Sequence, residues 1–319
     1  MRVLVTGMGG ELGTRVAQLL EAEPEIEQVA GCDFVPPRRR LRRAEFQRID
    51  PRDRERLGAF VEQFAPDAVA HFGVYEPASR MGPREAAERS ETCTAVALAA
   101  AARAGRLRQV AVRSGVEVYG RRPGRPAVPD ESVVPQPTTP YGQTCLEVET
   151  IALGVRSAST AVAVLRYAPV LGSHVPSPLG RVLRLPAVPV PAFSDPPFSL
   201  LHQDDSAEAM VAAIMRGYDG IVNVIGPGAA SPWQVVRLGG RIPVPVAGPG
   251  WAAAAVACEL AGAPAPPHVI DVLRDGCTAD GSLAASALGM RWLRSTQEVC
   301  AELFEWATVT PIVRNEAVA

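Results

Sequence analysis

The sequence predicts an α/β fold, a doubly wound parallel sheet joined to a smaller, discontinuous C-terminal lobe. Three observations carry that expectation. A short apolar run opens onto a glycine turn and a helical pattern. Strand and helix patterns then alternate through the first two-thirds of the 319 residues. After Gly172 the texture changes to proline and glycine. Alternating elements place the strands in parallel, with helices covering both faces of the sheet.

Val3-Leu4-Val5 reads as a parallel strand, Arg2–Val5, buried on both faces. Further strands are expected at Gln28–Cys32, Ala68–Phe72, Gln109–Arg113 and Ala161–Arg166. Helical periodicity fills the gaps at Gly10–Ala22, Arg52–Phe64, Arg84–Ala104 and Tyr141–Val155. Within 173–199, Pro176, Pro178, Pro186, Pro189, Pro191, Pro196 and Pro197 forbid long regular elements. A helix resumes at Ser206–Arg216 and a strand at Ile221–Ile225. The alanine-rich run Trp251–Ala263 reads as a buried helix of the smaller lobe. Leu283–Leu288 and Thr296–Trp306 read as closing helices.

Composition narrows the function classes. A net charge of −2 gives no reason to expect nucleic acid or an anionic membrane as partner. Trp251–Ala263 is the longest apolar stretch, is interrupted by Glu259, and is too short to span a bilayer. The N-terminus runs straight into a strand, with no secretory pattern, so a cytoplasmic protein is expected. Cys32, Cys93, Cys145, Cys258, Cys277 and Cys300 include no CxxC pair, which reads as reduced thiols and no metal site.

The first strand ends in Thr6-Gly7-Met8-Gly9-Gly10-Glu11-Leu12-Gly13. Glycines at 7, 10 and 13 permit a tight turn and a close backbone approach, and the helix that follows offers free N–H groups to a pyrophosphate. Asp33 stands twenty residues beyond Gly13, at the end of the second strand. There its carboxylate accepts from a ribose 2′-hydroxyl and repels a 2′-phosphate, which favours NAD over NADP. The chain therefore reads as a Rossmann-type NAD-binding domain, residues 1–172, which also receives about 200–225. Residues 173–319 form mainly the substrate lobe. Arg38, Arg39, Arg40, Arg42 and Arg43 read as a solvated loop. His71 is expected to pack beside the cofactor, and His202 to steady a loop.

Eight segments in order carry a family resemblance. The glycine turn resembles TGxxGxLG, and Gly31-Cys32-Asp33 the acidic end of the second strand. Asp50, in Ile49-Asp50-Pro51-Arg52-Asp53, matches an aspartate near adenine. Phe72 and Gly73, in Asp67–Gly73, match a motif beside the cofactor. Ser114–Gly120 resembles S[ST]xxVYG, and Pro140–Glu149 resembles PYGxSKxxxE. Leu201–Asp205 and Asn223–Gly226 resemble the late HVxD and NVG segments. Nearly the whole chain is similar to extended short-chain dehydrogenases/reductases of the NAD-dependent epimerase/dehydratase family, in the divergent actinobacterial branch labelled UDP-glucose-epimerase-like. The resemblance implies that Gly7, Met8, Gly9, Gly10, Glu11, Leu12, Gly13, Asp33, Asp50, Phe72, Gly73 and Tyr141 contact the dinucleotide. It also implies a homodimer through the Arg84–Ala104 and Tyr141–Val155 helices.

The departures fall on the chemistry. In the family a tyrosine is the general acid/base, a lysine four residues later lowers its pKa, and a Ser/Thr orients the substrate. Tyr141 matches the tyrosine, but the lysine position is Cys145 and the Ser/Thr position is Gly115. Ser114 is the neighbouring hydroxyl that would have to serve. A relay asparagine falls on Glu91, and an asparagine that contacts nucleotide-sugar phosphates falls on Pro169. The chain contains no lysine at all. An unperturbed tyrosine is only about 0.1 % ionised at pH 7, so another cation must help if Tyr141 is to act as a base. Arg113 is the nearest in sequence to the Ser114 motif. Two readings follow. One is an NAD-dependent enzyme with an altered site, acting on an unidentified small molecule with a hydroxyl or carbonyl group, sugar-nucleotide-like. The other is a non-catalytic NAD-binding sensor or docking protein.

Overall fold

The computed structural model describes residues 1–290 and 293–305. In chain order the strands are β1 (Arg2–Thr6), β2 (Gln28–Asp33), β3 (Glu45–Arg48), β4 (Ala68–His71), β5 (Gln109–Gly115), β6 (Ala161–Tyr167), β7 (Val170–Leu171), β8 (Ala187–Pro191), β9 (Leu201–His202), β10 (Gly220–Val224) and β11 (Ile242–Val246). The first helices are α1 (Glu11–Ala22), α2 (Arg54–Phe64), α3 (Pro83–Arg103), α4 (Pro140–Leu153), α5 (Pro178–Leu183) and α6 (Gln203–Met215). Then come α7 (Pro232–Leu238), α8 (Gly250–Leu260), α9 (Pro267–Asp275), α10 (Ser282–Ala287) and α11 (Thr296–Phe304).

Seven strands make one parallel sheet in the order β10-β6-β5-β4-β1-β2-β3. The order reverses between β1 and β4, where Thr6 pairs with His71. A crevice opens outside the strand ends at such a reversal, because the crossover helices leave on opposite faces. Val3, Leu4, Val5, Val69 and Val110 are fully buried, as strands covered on both faces require.

The doubly wound sheet stands as expected, with three differences. β3 was not anticipated. It is an edge strand whose residues are mostly exposed, so Glu45-Phe46-Gln47-Arg48 carries no continuous apolar signal. α8 forms where the alanine-rich run predicts a helix, but that helix is not buried. Only Trp251 and Cys258 are covered, while Val256 and Leu260 are 57% and 85% exposed. Alanine favours helix strongly and has little side-chain area to bury, so an exposed alanine helix costs little. The proline-rich stretches still yield short elements, and β8 pairs in parallel with β11 outside the main sheet. The expected closing helix ends at Phe304, and Trp306 lies outside the described residues.

One buried polar network ties the late strands to α4. Glu149 and Arg166, each 2% exposed, form two charge-assisted bonds of 2.7 and 2.9 Å. Arg166 also donates to the Tyr119 hydroxyl, which donates to Asn223 Oδ1 at 2.8 Å. All these groups are out of water, so each depends on its partner. Arg166→Met leaves the Glu149 carboxylate buried and unpaired. A loss of about 3–5 kcal/mol of folding stability is expected, read by urea unfolding. A loss near zero would mean that the Glu149–Arg166 pair adds nothing to folding stability.

Candidate functional site

The crevice at the β1/β4 reversal is a cleft that opens to solvent. Its floor is the glycine turn. Gly7 takes a φ of +70°, and a Cβ there would lie 2.5 Å from the Phe72 carbonyl oxygen. A Cβ on Gly13 would lie 2.2 Å from the Gly7 carbonyl oxygen. Glycine is therefore required at both positions. α1 starts after Gly10, which has no side chain to cap it, so its first N–H groups face the cleft unclaimed by a cap. Gly7, Gly10, Glu11, Leu12, Gly13, Asp33 and Phe72 all line the cleft.

The other residues expected at the cofactor sit differently. Met8 is fully buried, its side chain filling the space beside Gly31. Gly9 lies against the Val35 carbonyl, and Gly73 against Cys93 Sγ. These two support the cradle from behind. The Asp50 carboxylate is held by Arg52 at 2.9 Å and Arg89 at 3.1 Å. Arg38, Arg40, Arg42 and Arg43 are exposed, as a solvated loop requires, but the loop is also tied to the domain. Arg39 pairs at 2.7 Å with Glu11, which is 4% exposed in the first turn of α1, and Arg43 donates to the Ile26 carbonyl. The loop folds back because Glu11 and the chain before β2 offer it acceptors.

Asp33 ends β2 and is 2% exposed. It accepts the Phe34 N–H at 2.7 Å and the Tyr75 hydroxyl at 3.4 Å. Burial pushes its carboxyl up to about 6, against the backbone bond from Phe34 and the charge of Arg80. His71 bonds to Thr6 and Thr94 at 2.7 and 2.9 Å, and burial pushes it down to about 3, so it is neutral. His202 caps α6 by accepting from Asp204 N, and its other nitrogen faces Glu302 at 3.1 Å.

Tyr141 lies in the first turn of α4. Thr139 caps that helix through Gly142 N, and Pro140 fixes its first residue. The ring is 5% exposed. Arg113 reaches from β5 to the cleft wall, donating to the Tyr141 hydroxyl and the Val74 carbonyl at 3.3 Å each. Burial drives the Tyr141 hydroxyl well above the usual phenol range, and the Arg113 charge opposes that. Burial likewise drives up the Cys145 thiol, whose environment holds no cation but Arg113. A Cβ on Gly115 would lie 2.1 Å from Glu117 Oε2, so the Glu117 carboxyl fills the place of the expected Ser/Thr side chain. Burial raises Glu117 as well.

Two positions are not brought to Tyr141. Ser114 donates to Glu149 at 2.6 Å within the buried network, because neighbouring strand residues face opposite ways. Glu91 is exposed on α3, where its carboxyl bonds with Glu147. One residue was missed altogether. His268, from α9, stacks on Tyr141 with ring centroids 4.7 Å apart, and its Nε2 bonds to Glu76 at 3.2 Å. Nothing local in Pro266-Pro267-His268 announces that contact.

Comparison with known proteins fits this geometry. Residues 3–226 match the model of the NAD dependent epimerase/dehydratase family. The uncharacterized protein Rv0501 of Mycobacterium tuberculosis is 34% identical over 264 residues, covering 78% of this chain and 69% of that protein. The same values hold for the uncharacterized protein Mb0513 of Mycobacterium bovis. The fold is similar to UDP-glucose 4-epimerase of Thermotoga maritima with UDP-glucose, at 20% identity and TM-score 0.72, covering 96% of this chain and 98% of that one. It is also similar to UDP-glucose 4-epimerase of Brucella ovis in complex with NAD, at 22% identity and TM-score 0.72, covering 94% and 96%. The family is NAD-dependent, and the cradle fits that cofactor. Cβ atoms at Gly7 and Gly13 would clash with the backbone that forms the turn, and the buried Asp33 carboxyl lines the cleft.

Asp33 makes cofactor affinity and stability respond oppositely to pH. The folded protein holds its proton more tightly than the unfolded chain, whose ordinary value is 3.8. The stability it contributes is full below that value and is lost as pH rises through about 6. Asp33→Asn is therefore expected to raise the melting temperature of the ligand-free protein at pH 8 and to weaken NAD binding. Wild-type affinity for NAD is expected to fall below pH 6, as the ribose loses an ionised acceptor. Calorimetric NAD titrations at pH 5 and 8 check this; equal affinities would place the ribose elsewhere.

Proposed function

The chain belongs to the NAD dependent epimerase/dehydratase family, and we propose that it is an NAD-using enzyme whose acid/base is Tyr141 and whose missing lysine is replaced electrostatically by Arg113. The observation that carries this reading is the Arg113 guanidinium, 3.3 Å from the Tyr141 hydroxyl on the wall of the cofactor cleft. A kept tyrosine beside a kept glycine cradle is most simply explained by use. Residues 1–172 with about 200–225 serve as the cofactor domain, and 173–319 mainly as the substrate lobe.

Gly7, Gly10 and Gly13 would hold the pyrophosphate against the start of α1, and Asp33 the adenosine ribose. NAD supplies a hydride acceptor at this cleft. Tyr141 takes the proton of a substrate hydroxyl as its carbon is oxidised, and returns it on reduction. Its phenolate is disfavoured by burial and favoured by Arg113, so Arg113 sets how readily Tyr141 gives up its proton. The substrate is a hydroxyl- or carbonyl-bearing small molecule. The UDP-sugars named for the structural neighbours are the first to test. Pro169 replaces a polar phosphate contact, which argues for a pocket that differs from theirs. A homodimer through α3 and α4 is part of the same reading. Among the described residues no helix is long and apolar enough to cross a membrane.

One observation favours a second reading, an NAD sensor without chemistry. Burial leaves the Tyr141 hydroxyl and the Cys145 thiol both firmly protonated. The two readings separate on purified protein. An enzyme retains NAD after purification and reduces part of it when UDP-glucose or UDP-glucuronic acid is added, seen as reduced-nicotinamide absorbance. A sensor takes up NAD reversibly and reduces none. Tyr141→Phe is expected to abolish that reduction and leave NAD uptake unchanged. Arg113→Met is expected to slow it roughly a hundredfold, within the range of acid–base effects. Full activity in Tyr141→Phe would sink the tyrosine-centred mechanism.

A further inference from the structure

Tyr141 is gripped from two sides, and both grips end on one short loop. Arg113 holds the hydroxyl and donates to the Val74 carbonyl. His268 covers the ring face and bonds to Glu76. Between these anchors, Tyr75 bonds to Asp33 at the ribose end of the cleft. The loop after β4 therefore touches the cofactor cleft and both holders of Tyr141.

We propose that His268, seated by Glu76, is a positioning residue that orients the Tyr141 phenol. The inference rests on the reading of Tyr141 as acid/base. The imidazole Nε2 and the Glu76 carboxyl share a hydrogen bond of 3.2 Å. That bond fixes the plane of the ring, and the ring lies 4.7 Å from Tyr141 at 42°. His268 is 3% exposed, so the ring sits inside the fold beside Tyr141. Pro266 and Pro267 set the backbone entering α9 and place residue 268 in its first turn, and α9 packs directly on α4.

The need for such a residue follows from Cys145. A lysine at that place holds its tyrosine through a charge and a long side chain. Cys145 is short and fully buried; burial keeps its thiol neutral, so it touches Tyr141 without bringing a charge or a long side chain. Orientation of the phenol then falls to the side chains that touch it. A displacement of about 1 Å in a reacting group can cost a hundredfold in rate, so a ring clamp here has a large effect without touching the substrate. α9 lies far along the chain from the glycine cradle, so the acid/base group would be complete only when the C-terminal segment is docked.

The test uses the full chain with NAD added and tyrosines ¹³C-labelled in the ring. The sequence has five tyrosines, so Tyr141→Phe assigns the Tyr141 signals. His268→Ala is expected to shift those signals and to let the two edges of the ring average by flipping. Glu76→Ala, at a position 19% exposed, is expected to do the same. His268→Phe keeps a flat ring but loses the Glu76 bond, and is expected to restore the signals only in part. In His268→Ala, reduction of bound NAD by UDP-glucose is expected to fall roughly tenfold to a hundredfold, with half-saturation by UDP-glucose unchanged. Unchanged Tyr141 signals in both alanine variants would overturn the proposal, as would an unchanged reduction rate in His268→Ala. Should the wild type reduce no NAD with UDP-glucose, the functional reading fails, and the ring signals alone decide the role of His268.

Discussion

The fold is organised around one steric constraint, the contact of backbone with backbone at the ends of β1 and β4. Gly13 sits on the Gly7 carbonyl, and Gly7 sits on the Phe72 carbonyl, at distances that exclude any side chain. These contacts press α1 against the sheet where the strand order reverses. The cleft, the uncapped start of α1 and the burial of Asp33 all follow from that position. Met8 and Gly9 complete the constraint from below, the first by filling the space beside Gly31, the second by lying on the Val35 carbonyl.

Electrostatics behind the Arg113 wall of the cleft depend on burial more than on charge. Tyr141, Cys145 and Glu117 crowd together out of water, and burial holds each toward its neutral form. Arg113 brings positive charge among them. It is itself half-buried, and its two bonds, to Tyr141 and Val74, fix where that charge lies. Because the interior screens weakly, a cation at this distance acts strongly on the phenol, whereas a surface arginine would not. The chain thus separates two tasks. The Glu149–Arg166 pair holds α4 to the sheet, and Arg113 is left for the cleft.

The same partition explains Ser114 and Gly115. Consecutive residues of β5 face opposite sides. Arg113 and Gly115 look toward Tyr141, while Ser114 looks into the Glu149–Arg166 network. With no side chain at Gly115, the Glu117 carboxyl occupies the vacancy. The altered site is therefore packed, with one group substituted for another, and is not an open gap.

The sequence by itself determined the parallel sheet, the glycine cradle and Asp33 at the end of the second strand beside it. Each is written in a local pattern: an apolar run, a glycine spacing, an acid at a strand end. It also located Tyr141, through the resemblance of Pro140–Glu149 to PYGxSKxxxE, and it named Arg113 as the cation nearest in sequence to the Ser114 motif. It did not show β3, whose exposed edge carries no apolar run, or the exposure of α8, since alanine favours helix whether or not it is buried. Only the tertiary structure decided which of 32 arginines meets the phenol, which turned inward to Glu11, and which closed on Glu149. Only it brought His268 across from α9 to the ring of Tyr141. Side-chain partners far apart in the chain are chosen by the packing of whole elements, and no local spacing encodes that choice.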